Sequence, residues 1–112
     1  MKFVETRYFL QQLQILARVY HHIIDDYTTR KKEFDPKFAV HLWRQIYKSR
    51  YRNSSIQSGK RWWLRIITKI YNDKVLPILI YSKTTKENVT DKEIIQWLEM
   101  IYKELEMEKL EH

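Results

Sequence analysis

Between Thr6 and Phe34 the apolar positions recur at helical spacing. Leu10, Leu13, Ala17 and Tyr20 follow one register, and Phe9, Leu16 and Ile23 another. The pattern predicts helix with Thr6 as its N-cap, and a break near His21-His22 would turn it into a helical hairpin. Asp35-Pro36 ends it, because the residue before proline disfavours the α region. Ahead of this stretch, Lys2-Phe3-Val4-Glu5-Thr6 reads as a short strand. Lys37 to Trp43 fits either a short helix or an irregular approach to a sheet.

From Gln45 the period becomes two. Lys48, Arg50 and Arg52 alternate with Tyr47, Ser49 and Tyr51, so the cations share one face of a strand. Asn53-Ser54-Ser55 and Ser58-Gly59 bracket a loop, and Arg61 to Tyr71 forms a second strand. Asn72-Asp73 makes a tight turn into a third, Lys74 to Ser82, whose run Val75-Leu76-Pro77-Ile78-Leu79-Ile80-Tyr81 suits a central position. Pro77 is out of place there, since it removes a ladder donor. After a loop from Thr84 to Val89, Thr90 and Glu93 form a capping box for a last helix. Ile94, Leu98 and Ile101 make its apolar face, with Trp97 and Leu105 beside them. The expectation is one α+β domain over residues 1–109: an N-terminal strand, a helix or helical hairpin, a three-stranded antiparallel β-meander and a C-terminal helix. Leu110-Glu111-His112 reads as the remnant of an expression tag.

At 112 residues, 44% hydrophobic and 31% charged, the chain has a globular composition. No apolar run is long enough for a membrane span, no signal-peptide pattern follows Met1, and no membrane partner is expected. With Cys 0 there is neither a disulfide framework nor a thiolate metal site, and a bacterial cytoplasm fits. The charge of +7 is unevenly placed. Arg30 to Lys69 holds 12 cations against Glu33 and Asp35, whereas from Asp91 onward 7 acids face 3 lysines. A basic centre of that density is the footprint of a polyanion binder, although a charge run is also compatible with a plain solvated face.

The centre of the chain also carries a family resemblance. Ile46-Tyr47-Lys48-Ser49-Arg50-Tyr51-Arg52-Asn53-Ser54-Ser55-Ile56, Gly59-Lys60-Arg61 and Leu64-Arg65-Ile66-Ile67 resemble, in order, the strand-loop-strand core of RelE/HigB-like toxins of type II toxin–antitoxin systems. Ile80-Tyr81-Ser82-Lys83, Lys86-Glu87-Asn88-Val89-Thr90 and Glu93-Ile94 continue it, over roughly half the chain. The resemblance implies a RelE-like fold and an mRNA endonuclease that acts on the ribosome without metal or cofactor, with a cognate antitoxin as partner. Where the family usually has small residues this chain has Trp62-Trp63, a departure that bears on how RNA is contacted. A ParE-like, gyrase-inhibiting toxin and a divergent nucleic-acid-binding module are the alternatives.

Metal-free RNA cleavage needs a base for the 2′-hydroxyl, an acid for the 5′ oxygen and cations for the phosphorane charge. His21, His22, His41 and His112 lack ligand spacing, which leaves Lys, Arg and Tyr as working groups. Arg65, on a face with Trp63, Ile67 and Lys69, matches the family's strand arginine and can grip two phosphate oxygens; a surface ion pair is the plainer role. Lys48 and Arg50 correspond to family strand positions, and neighbouring like charges would lower the lysine's pKa. Tyr81 and Lys83 alternate at the end of the third strand, where the phenol could stack, donate a proton or simply pack. Those five are the catalytic candidates; Arg52, Lys60, Arg61 and Lys86 are expected to track RNA phosphates. Trp62 and Trp63 point to opposite faces, one toward the core and one toward solvent.

Overall fold

Thr6 begins the first helix as its side chain requires: its hydroxyl accepts the Phe9 N–H at 3.3 Å. The computed structural model describes residues 2–55, 63–82 and 88–105. The elements are β1 (Lys2–Phe3), α1 (Arg7–Ala17), α2 (Ile23–Lys32), a 3₁₀ turn (Pro36–Phe38), β2 (Val40–Trp43), β3 (Ile46–Arg52), β4 (Trp63–Tyr71), β5 (Lys74–Ser82) and α3 (Asp91–Leu105). They form a single compact α+β domain around a five-stranded mixed sheet of order β1-β5-β4-β3-β2.

The helical stretch does divide at His21-His22, so the hairpin forms. Within it Phe9, Leu13, Ile23 and Tyr27 are buried, whereas Leu10 turns out to be 41% exposed and Tyr20 packs from the inter-helix turn. The meander is larger than the period predicts. Val40–Trp43 is a fourth antiparallel strand, paired with β3, and β1 joins the opposite side of the sheet parallel to β5. The β2 signal is short and lacks clean alternation, partly because the pairing slips between His41 and Trp43. Arg44, in the β2–β3 turn, takes φ 47, and Asn72, in the β4–β5 turn, takes φ 56. Asparagine tolerates the left-handed region, and arginine occupies it at a cost.

Pro77 is accommodated by a bulge. The β4–β5 register jumps between Ile67↔Leu79 and Thr68↔Pro77, so the extra residue, Ile78, sits beside the proline. Both faces of the central strands are covered, which is why β4 and β5 read as nearly continuous apolar runs. Phe9, Leu13, Ile23 and Tyr27 cover Leu64, Ile66 and Ile80 on one face. Ile94, Leu98, Ile101 and Tyr102 of α3 cover Ile67, Leu79, Leu76 and Ile46 on the other. The Thr90 capping box of α3 forms, with the Glu93 N–H donating to Thr90 Oγ1 at 3.2 Å. The Thr90 N–H in turn reaches Glu93 Oε1 at 3.4 Å.

Candidate nucleic-acid interface

Cross-strand partners in a pleated sheet project to the same face, so register decides which side chains meet. Arg50 lies opposite Arg65, and Arg65 opposite Tyr81, which makes one lateral row across β3, β4 and β5. The flanking rows are Lys48, Ile67 and Leu79 on one side, and Arg52 with Trp63 on the other. All belong to the face that also carries α3. Adjacent strands stand about 4.8 Å apart and successive rows about 7 Å, so Lys48, Arg50, Arg65 and Tyr81 occupy neighbouring positions of one face. Thus the structure gathers the four described catalytic candidates and places Arg52 beside them. Lys83, Lys60, Arg61 and Lys86 lie outside the described residues, as does Trp62.

Among the described residues Arg65 is in no ion pair. It is only 7% exposed, and its Nη1 is buried without a hydrogen-bond partner among the described residues. A like charge directly opposite, Arg50, opposes folding rather than assisting it. Burial holds the Lys48 ammonium below the usual lysine range, and the positive charges of Arg50 and Arg65 push it the same way. Burial thus leads, ahead of the like charges expected from sequence. Tyr81 is also buried, and its phenol is raised above the ordinary tyrosine value. Desolvation is the main cause; Glu93 adds to it, and Arg65 and Arg50 oppose it. The group is therefore a neutral hydroxyl at physiological pH, able to donate a proton.

Two neighbours were not legible as site residues. Glu93 serves the α3 capping box, yet its charge is felt by Tyr81, which only the fold brings near. Lys69, one face-position beyond Ile67, is 7% exposed, with Nζ 5.3 Å from the Tyr102 ring centroid. Period-two spacing from Arg65 places Lys69 on this face, but its aromatic partner comes from α3. Trp63 is 39% exposed beside Arg52.

The end of β3 is fastened from the other side. Asp26 of α2 accepts the Ser54 N–H at 2.9 Å and the Ser54 hydroxyl at 2.6 Å. The His22 N–H donates to Ser55 Oγ at 2.9 Å, and buried Asn53 accepts the Ser55 N–H at 3.0 Å. These bonds fix the backbone from which Arg50 and Arg52 project. Among the described residues no group of three or more His, Cys, Asp or Glu side chains is gathered to hold a metal, and no helix is long and apolar enough to cross a membrane.

No protein-family model matches this chain, and neither a curated protein nor a solved structure does. Functional inference therefore rests on the residues themselves.

Proposed function

We propose that the protein is a RelE/HigB-like toxin that cleaves messenger RNA on the ribosome, in the bacterial cytoplasm, and is held in check by a cognate antitoxin. The observation that carries this reading is the Arg50–Arg65–Tyr81 row. Two guanidinium groups face each other across adjacent strands, and one is buried with its Nη1 unpartnered among the described residues. Such an arrangement costs stability, and local violations of this kind concentrate where function maintains them. A polyanion would supply the missing partner. The order of strand, helical hairpin, antiparallel strands and helix is the one the resemblance implies, and supports the RelE-like assignment.

In this reading Arg65 and Arg50 hold the scissile phosphate and stabilise the charge that grows on its oxygens. Lys48, whose ammonium is made more acidic by burial and by both arginines, takes the 2′-hydroxyl proton. The 2′ oxygen bonds to phosphorus, the P–O5′ bond breaks, and the neutral Tyr81 phenol protonates the departing 5′ oxygen. The products are a 2′,3′-cyclic phosphate and a 5′-hydroxyl end. Arg52 follows the adjoining phosphate, Lys60, Arg61 and Lys86 track phosphates further along the strand, and Lys83 joins the catalytic group.

The test is to induce the protein in cells and map the 5′ ends of translated messages, comparing wild type with Arg65→Ala and Lys48→Ala. The expected outcome is codon-phased 5′-hydroxyl ends that disappear in both variants. Growth arrest with intact messages would overturn the nuclease assignment and favour gyrase inhibition. An absence of toxicity would leave a nucleic-acid-binding module.

A further inference from the structure

Phe38 is 89% exposed, the barest of the large apolar side chains among the described residues. Its ring makes no stacking or cation–π contact among them. Burying a phenylalanine ordinarily stabilises a fold appreciably, so this one contributes nothing to the core. Its backbone, by contrast, is tightly held. Pro36 sets the first φ of the 3₁₀ turn, and the Asp35 carboxylate accepts the Lys37 N–H at 2.9 Å. The Phe38 N–H donates to the Asp35 carbonyl at 3.0 Å, and the Ala39 N–H to the Pro36 carbonyl at 3.2 Å.

The turn leads directly into β2, the edge strand beside the cation-bearing β3. Val40 pairs with Lys48, and Ala39 is extended at φ −102, ψ 158. Phe38 thus closes the 3₁₀ turn two residues ahead of the Val40–Lys48 rung, at the start of the edge strand. Exposed Lys37 adjoins it. The local carboxylate, Asp35, is engaged in capping the turn. An exposed aromatic plane on a rigid mount, with Lys37 next to it and Lys48 across from Val40, suits a ligand with both π-faces and negative charge.

We propose that Phe38 is a stacking platform for one unpaired nucleobase of the RNA strand whose phosphates lie along Lys48, Arg50 and Arg52. The inference rests on the RNA-directed reading above and extends it to β2, outside the chemical row. It predicts contact with any of the four bases, since stacking discriminates little among them.

The experiment measures binding of the full chain to a short single-stranded RNA carrying 2-aminopurine, by anisotropy and by 2-aminopurine fluorescence, across a salt series. The variants are Phe38→Ala, Phe38→Leu and Phe38→Trp. Because Phe38 is 89% exposed, all three retain the wild-type thermal midpoint. Phe38→Ala and Phe38→Leu weaken binding by about tenfold and lose the fluorescence quenching, whereas Phe38→Trp keeps both. The dependence of log affinity on log salt stays unchanged, because no phosphate contact is lost; Arg50→Ala, by comparison, flattens it. Wild-type affinity in Phe38→Ala overturns the platform and leaves the RNA-directed reading in place. No RNA binding by the wild type overturns both. If Phe38→Ala dissociates a dimer in sedimentation without changing RNA affinity, the ring serves a second copy of the chain and the platform is again overturned.

Discussion

Replacing Arg65 with methionine should make the protein more stable while removing its activity. Methionine keeps an apolar stem of similar length but deletes the guanidinium. In the wild type that group is 7% exposed, carries an Nη1 unpartnered among the described residues and faces Arg50. A buried polar group without a partner costs roughly 1–3 kcal/mol, and a like charge directly opposite adds a smaller amount. Allowing for imperfect packing of the new side chain, the net gain is about 1–2 kcal/mol. For a domain near this size each kcal/mol corresponds to about 4 °C, so the midpoint should rise by about 4–8 °C. Differential scanning calorimetry with and without a non-cleavable single-stranded RNA analogue reads both halves of the argument. Ligand at about a hundred times its dissociation constant stabilises the wild type by ~2.7 kcal/mol, and the variant should show far less of this rise. A variant that melts lower than wild type would refute the reasoning, because Arg65 would then be a satisfied structural anchor. Equal stabilisation of both proteins by the analogue would refute its role in phosphate binding.

The same face gives a pH-dependent expectation for Lys48. Its pKa is lowered on folding by burial first, then by Arg50 and Arg65, so the unfolded chain binds this proton more tightly. The cost is fully present below the folded pKa and is relieved as pH rises from there toward the ordinary lysine value of 10.5. Lys48→Met should therefore have a denaturation midpoint at or above wild type at neutral pH, with the difference closing on the alkaline side; a lower midpoint at neutral pH sinks the account. On β5, beyond the reach of the two-residue β1, the Gln12 side chain acts as a substitute strand: Nε2 donates to the Ile78 carbonyl at 2.9 Å and Oε1 accepts the Ile80 N–H at 3.2 Å. Gln12→Ala should cost about 1–3 kcal/mol in urea unfolding and accelerate exchange of the Ile80 amide, and a loss below ~0.5 kcal/mol would show that water replaces the amide freely.

How much of this was visible in the chain differs by element, for physical reasons. The N-caps at Thr6 and Thr90 and the Asn72 turn depend on residues within a few positions of one another, and they were legible. So was the sharing of a face by Lys48, Arg50 and Arg52, since period two in a strand is fixed by geometry. Three things were not. The pairing of β1 with β5 links Phe3 to Val75, and nothing local to either residue encodes it. Val40–Trp43 has four residues and an irregular register, too little for a period to declare itself. The row Arg50–Arg65–Tyr81 depends on the offset between three strands, which the turns and the Ile78 bulge set together. The sequence supplied the candidates individually; register alone shows that they are neighbours, and that Arg65 is buried rather than solvated.

That burial has a consequence for how such a site works. Along β4 one face reads Trp63, Arg65, Ile67, Lys69 and Tyr71, with apolar Ile67 between the charged positions. Ile67 and Leu79 seat Leu98 and Ile101 of α3, while Lys48 shares their row and Arg65 lies one row away. The cations are therefore not laid on a finished core; they border its seam. The low polarity of that seam lowers the Lys48 pKa and raises that of Tyr81, and the same seam anchors the strands that aim them. Core packing and acid–base tuning are thus one property of this face. A more solvated version of the row would keep its charge, but the Lys48 pKa would return toward its ordinary value. The unfavourable burial of Arg65 and the lowered pKa of Lys48 arise in the same two neighbouring rows, so stability and activity should respond in opposite directions when either cation is removed.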